Sequence, residues 1–208
     1  MNENLHVVVL IMAAGASRRM KGVKQLLPWK NSNFLTETIN TVQKSKARTV
    51  SVVLGSNAER IERECNLNQL GVNVIINPNW DEGLGNSIAI GVKGILRKFY
   101  DLDGILICLA DQPLLTTEYF DSIIRQFKKD TSKIVATNYG KRVGVPALFP
   151  QFLFNELKCL NGDQGARDIL ENNIKKIVSI DAHNRQLDID TEEEYHKLIT
   201  QTKIKNDE

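Results

Sequence analysis

Four short runs, at residues 5–12, 50–54, 72–76 and 105–109, are apolar at almost every position and rich in Val, Ile and Leu. A strand with one face in water alternates apolar and polar residues, so a run that is apolar on both faces must be covered on both. Between the runs lie segments with apolar residues at helical spacing, over 34–44, 58–65 and 87–99. In the last of these, Ile88, Val92, Ile95, Leu96 and Phe99 fall on one side. Strand followed by helix, three times over, predicts a right-handed α/β fold with a mostly parallel sheet.

The pattern continues with a helix over about 117–129, opened by Thr116 and Thr117, and a strand over 134–137. Beyond it, "VGVPALF" reads as a short extended piece, 151–159 and 164–171 as short helices, and 177–180 and 187–189 as strands. A closing helix is expected over 191–200, and the final "KIKNDE" reads as frayed. Residues 138–185 are expected to form a cover over the sheet. A chain of 208 residues that is 42% hydrophobic can bury one sizeable core, so 1–208 is read as a single domain.

Composition removes several functions. A net charge of +2 with mixed signs gives no field for a nucleic acid or a membrane surface, so neither is an expected partner. The apolar run from Leu5 to Ala14 is too short to span a bilayer and has no basic stretch before it, which predicts a cytoplasmic protein. Cys65, Cys108 and Cys159 lack any CxxC or histidine at ligand spacing, against both a disulfide framework and a zinc site. His6, His183 and His196 read as surface or boundary residues.

In an open α/β sheet, ligands gather beyond the carboxyl ends of the strands. Four such places carry chemistry. In "AAGASRRMKGVK", Ala13, Ala14 and Gly15 let backbone approach a ligand, and Arg18, Arg19, Lys21 and Lys24 can reach phosphate oxygens; a tight turn before a solvated basic loop is the plainer alternative. Neither a Walker loop nor a GxGxxG is present. In "NPNWDEGLGNSIAIGV", Asn86 and Ser87 stand where a helix should begin, and Ser87 either caps that helix or meets a ligand. In "LICLADQPLL", an apolar strand delivers Asp111 to its carboxyl end, where a carboxylate can bind Mg²⁺ or accept amides of its own turn. In "LDIDTEEEY", Asp188 and Asp190 would share one face of a strand and could hold a metal between them, unless Asp190 or Thr191 caps the last helix. A basic small-residue loop with two acidic strand ends is what phosphoryl or nucleotidyl transfer requires.

These motifs resemble those of the nucleotidyltransferases of molybdenum cofactor biosynthesis. "AAGASRRM" with Lys24 and "LLP" is similar to the family's opening signature. "NPNWDEGLGNSIAIGV", "LADQPLL", "GVPALF", "LNGDQGAR" and "DIDTEEEY" follow in the family's order, from residue 10 to 195. The resemblance implies a Rossmann-like three-layer α/β/α nucleotide-diphospho-sugar transferase fold. It also implies Mg²⁺-dependent transfer of a nucleotide to an acceptor phosphate with release of pyrophosphate. For the most similar branch, CMP passes from CTP to the phosphate of molybdopterin carrying molybdenum. "AAG" resembles the cytidylyl type, where the guanylyl type has "AGG", favouring CTP over GTP.

By the same resemblance, Ala13, Ala14 and Gly15 contact base and ribose, Arg19 and Lys24 the phosphates, and Asp111 holds Mg²⁺ with help from Asp188 or Asp190. Gly162, Asp163, Gly165 and Arg167 face the acceptor, Arg167 in the first turn of a helix beginning near Gln164. Lys21 stands where the family has glycine, "GNSI" replaces "SSL", and "DTEEEY" lacks the common proline. Two alternatives remain: a transferase acting on a sugar or alcohol phosphate or using GTP, and a non-catalytic molybdopterin chaperone serving a molybdenum hydroxylase.

Overall fold

In the computed structural model, which describes residues 5–47 and 49–206, every residue of β1 (Val7–Ala13) is buried. Val7, Val9 and Ile11 enter one apolar cluster and Val8, Leu10 and Met12 another, because successive strand side chains point to opposite faces. Both clusters need cover, and the chain supplies it in sequence. After β1 come a small hairpin, β2 (Pro28–Trp29) and β3 (Ser32–Asn33), then α1 (Phe34–Gln43), β4 (Thr49–Leu54), α2 (Ala58–Glu64) and β5 (Asn73–Ile76). There follow α3 (Leu84–Lys98), β6 (Gly104–Leu109), α4 (Thr117–Lys129), β7 (Ile134–Asn138) and β8 (Val143–Pro150). The chain continues with α5 (Phe154–Leu157), α6 (Arg167–Asn172), β9 (Ile177–Asp181) and α7 (Glu192–Asn206).

Seven strands form one sheet in the order β5-β4-β1-β6-β8-β7-β9. The first four are mutually parallel, as the apolar runs predict. Ile39 of α1, Ile61 of α2 and Phe120 of α4 pack on one face, and Ile88 of α3, Leu157 of α5 and Ile169 of α6 on the other. This is the expected α/β/α arrangement. Helix α4 is capped by Thr116, whose side chain accepts from the Tyr119 amide.

Four expectations change. "VGVPALF" is no isolated piece but part of β8, which runs antiparallel between β6 and β7. Its proline disguised it, since Pro cannot donate to a ladder. Here the register with β7 jumps from Ala136–Ala147 to Thr137–Gly144, and Pro146 sits in the skipped pair. The Thr137 hydroxyl bonds the Pro146 carbonyl at 2.7 Å and the Tyr139 hydroxyl the Val145 carbonyl at 2.6 Å, so the bulge leaves neither acceptor bare.

With β8 and β9 in the sheet, the cover expected over 138–185 shrinks to roughly the segment between them, where Leu153, Leu157, Ile169 and Leu170 are buried. Residues 187–189, expected as a strand, form none. Helix α7 runs on through Asn206; residues 1–4, 48 and the end of the tail expected to fray lie outside the described residues. No helix among the described residues is long and apolar enough to cross a membrane.

Candidate active site

The chain leaves β1 through Ala13 and Ala14, both buried, to Gly15, which is exposed with nothing within 4 Å of where a Cβ would stand. The following residues fold back and are pinned by Gln25, only 6% exposed. Its amide donates to the carbonyls of Ala13 at 2.9 Å and Gly15 at 3.0 Å. Ser17, at a φ of 55°, accepts the Lys24 amide on its hydroxyl at 2.9 Å. The loop is thereby fixed as a frame that turns Lys24 beneath the strand ends.

The Lys24 ammonium lies 2.7 Å from Asp111 Oδ2 and 2.7 Å from Asp190 Oδ1. Asp111 comes from the end of β6. Asp190 comes from the last connection, which is laid against it: the Ile189 amide donates to the Asp111 carbonyl at 3.0 Å, and the Ile189 side chain is buried with Trp29, Phe34 and Leu198. Thr191 and Glu194 cap α7 reciprocally, leaving Asp190 for the site. Arg19 reaches its other oxygen at 2.8 Å.

Burial alone would lower the Lys24 pKa, but the charges and hydrogen bonds of Asp111 and Asp190 outweigh it and raise it. For Asp190, burial pushes upward and Lys24 and Arg19 prevail, so its carboxyl is held below the ordinary range. Asp111 Oδ1 is buried with no hydrogen-bond partner.

The facing wall corrects one expectation. Helix α3 begins at Leu84 with Gly83 before it, so Ser87 lies inside the helix and does not cap it. Its buried hydroxyl accepts from the Asn77 side chain at 3.0 Å. A Cβ on Gly83, at a φ of 105°, would collide with the Gly162 backbone, and one on Gly85 with the Asn161 carbonyl. The Gly85 amide donates to the Gly162 carbonyl at 2.7 Å. "LNGDQGAR" thus docks onto the start of α3, a contact that sequence spacing could not reveal.

Between these walls is a cleft of about 540 Å³, bordered by Ala13–Gly15, Arg19, Lys24, Ser87, Asp111 and Asp190, with Asp163 at its edge. A second cavity of about 340 Å³ shares Leu84 and Leu109 with it. Ile88, Ile107, Val143, Val145 and Leu170 give it apolar walls. The four expected acceptor residues therefore separate, with Gly165, at a φ of 61°, close against the Leu84 side chain. Gly162 packs against Gly83, Asp163 faces the cleft, and Arg167 opens α6 beside the second cavity, 2.6 Å from Glu171. Helix α6 begins at Arg167 itself, later than the expected start near Gln164, with Ala166 before it.

The expected metal residues also separate. Asp188 faces the second cavity and accepts from the Gln112 amide at 2.8 Å, while Gln112 donates to the Tyr139 hydroxyl at 2.9 Å. Burial, and then the Asp111 charge, raise the Asp188 pKa. Among the described residues no three His, Cys, Asp or Glu side chains converge as metal ligands. Lys21, 91% exposed, turns from the cleft toward Glu192 at 3.9 Å. Gln25, Gln112 and Trp80 escaped the sequence reading; each acts through hydrogen bonds or packing contacts that appear only after folding.

A cleft beyond the carboxyl ends of parallel strands, with cations on a small-residue loop and carboxylates on a later strand end and on the last connection, defines an α/β nucleotidyltransferase. The chain belongs to the MobA-like NTP transferase domain family, whose model matches residues 9–178.

It is 28% identical to the purine catabolism protein PucB of Bacillus subtilis (strain 168), over 91% of this chain and 94% of that one. It is 26% identical to the nicotine blue oxidoreductase of Paenarthrobacter nicotinovorans, over 93% and 96%. The molybdenum cofactor cytidylyltransferase of Escherichia coli (strain K12) is 29% identical over 55% of this chain and 56% of its own. Among solved structures, Rv0371c of Mycobacterium tuberculosis H37Rv superposes with a TM-score of 0.80 at 25% identity, covering 93% of this chain and 97% of that one. A second structure of that protein is a complex with manganese.

Proposed function

We propose that this protein transfers CMP from CTP to the phosphate of molybdopterin carrying molybdenum, releasing pyrophosphate, with Mg²⁺ as the metal. The observation that carries the reading is Lys24 held between Asp111 and Asp190 at the mouth of the cleft. The partial match to a molybdenum cofactor cytidylyltransferase and the "AAG" loop support the choice of acceptor and nucleotide. The second cavity, joined at Leu84 and Leu109 to the cleft where the acceptor phosphate would react, combines apolar walls with Arg142, Arg167 and Asp188, a lining that suits a ring with hydrogen-bonding edges.

The donor set fits a hard divalent cation. Asp111 Oδ1 is a buried carboxylate oxygen without a partner, and Asp190 stands on the same ammonium. A cation held by one or two carboxylates, with water and phosphate completing its shell, is the habit of Mg²⁺. When bound, it would neutralise phosphate charge as pyrophosphate leaves.

The protein's own groups do the rest. An acceptor phosphate oxygen forms a bond to the α-phosphorus while the bond to the pyrophosphate oxygen breaks. Lys24 and Arg19 offer positive charge to the phosphates, Arg19 exchanging Asp190 for them. The pinned backbone of Ala13–Gly15 approaches base and ribose, Ser87 borders the same pocket, and Asp163 with Gly162 closes its acceptor side.

A second reading, a molybdopterin-binding chaperone for a molybdenum hydroxylase, draws on the full-length likeness to a purine catabolism protein. One experiment separates the two: incubation with each NTP, Mg²⁺ and molybdopterin, with pyrophosphate assayed and the pterin product weighed by mass spectrometry. Transfer predicts a CMP adduct, lost in Asp111→Ala with the fold intact. Normal turnover by Asp111→Ala overturns the site, and pterin binding without NTP turnover supports the chaperone.

A further inference from the structure

The cleft has an end that the phosphate chemistry does not use. Lys24, Asp111 and Asp190 occupy the side toward β6, whereas Trp80, in the turn after β5, borders the side toward β4. Strands β4 and β6 lie two spacings apart, about 10 Å, so a nucleotide with its phosphates at Lys24 lays its base toward Trp80.

Trp80 is the one aromatic residue lining this cleft among the described residues. Gly55, just after β4, has no room for a Cβ, which would meet the Trp80 Cβ, its Cγ and the Ala14 carbonyl. The root of the indole is therefore clamped between two strand ends, while Trp80 as a whole stays only half-buried. Trp80 packs in part against the core cluster that contains Ala14, and the rest of its surface is left on the cleft.

We infer that the Trp80 indole is the platform on which the nucleobase stacks, supplying affinity for any base without choosing among them. The inference rests on the nucleotide-transfer reading above. Stacking tolerates every base because each has a π face, so the choice of CTP falls to hydrogen-bonding groups of the same pocket.

The chain has two tryptophans, so a Trp29→Phe protein reports on Trp80 alone. Titrated with Mg²⁺ and each NTP, its emission is expected to fall with all four, whereas tripolyphosphate, which has no base, leaves it unchanged. By calorimetry with Trp29 intact, Trp80→Leu weakens all four NTPs by about tenfold or more, and Trp80→Phe restores most of the loss. The calorimetry decides the question if Trp29→Phe fails to fold. Nucleotide binding without a change in emission, or Trp80→Leu binding CTP as tightly as wild type, overturns the stacking role and leaves the transferase reading standing. Failure of the wild-type protein to bind any NTP overturns both.

Discussion

Lys24 and Asp190 lie 166 residues apart in the chain and 2.7 Å apart in the fold, joined by an ammonium that Asp111 also holds at 2.7 Å. Removing the ammonium leaves two carboxylates facing one another, with Arg19 paired to Asp190. In a water-poor site, fixed charges aimed at developing charge contribute strongly to rate. Lys24→Ala should lower NTP-dependent pyrophosphate release by about 100-fold or more, with weaker NTP binding. Steady-state kinetics across NTP concentrations measures both effects.

Gly15 and Gly85 should respond oppositely to alanine. A Cβ on Gly15 meets nothing in the protein and would project where a nucleotide sits. Gly15→Ala should leave the melting temperature unchanged and raise the KM for NTP. Gly85 lies in a helix, where alanine ordinarily stabilises, but here its Cβ meets the Asn161 carbonyl. Gly85→Ala should cost about 1–3 kcal/mol by denaturant unfolding.

Gln25 borders the cleft and ties two carbonyls of the β1 loop from a buried position. Gln25→Ala leaves those acceptors without a partner and should cost about 1–3 kcal/mol. Chemical denaturation, with NTP affinity measured alongside, tests whether loop and site loosen together.

Asp188 and Asp190 should give opposite pH signatures. The folded-state pKa of Asp190 is depressed, so its contribution is present above the unfolded value near 3.8 and is lost as pH falls through the lower folded one. Asp190→Asn should flatten the acid limb of stability against pH. The folded-state pKa of Asp188 is raised, so its ionised form weakens the fold at neutral pH and has no effect where it is protonated in both states. Asp188→Asn should raise the melting temperature at pH 7 and leave it unchanged well below the ordinary carboxylate range.

Ile174 is 59% exposed and borders the second cavity, so a charge there should not disturb the core. If that cavity holds the acceptor, Ile174→Glu should raise the acceptor KM and leave NTP affinity alone. An equal rise in both would place the acceptor elsewhere.

The chain's local order was legible before folding. Buried parallel strands announce themselves by continuous Val, Ile and Leu, and helices by their spacing, because both signals are local consequences of which faces must leave water. The same logic put Asp111 at the ligand end of β6. It fell short at β8, where "VGVPALF" reads as a short extended piece and only the ladder with β6 and β7 makes it a strand of the sheet. It failed again for Asp188 and Asp190, whose two-residue spacing suggested one metal site. Burial of Ile189 sends one carboxylate to Lys24, and Gln112 holds the other at the second cavity.

By itself, then, the sequence determined the α/β layering, the small-residue basic loop and the acidic strand end, since each follows from residues near one another in the chain. Which charges meet, which glycines permit two loops to touch, and that Trp80 borders the cleft were decided by tertiary structure. Electrostatic pairing and close packing act through space over a few ångströms, and no spacing along the chain records that distance.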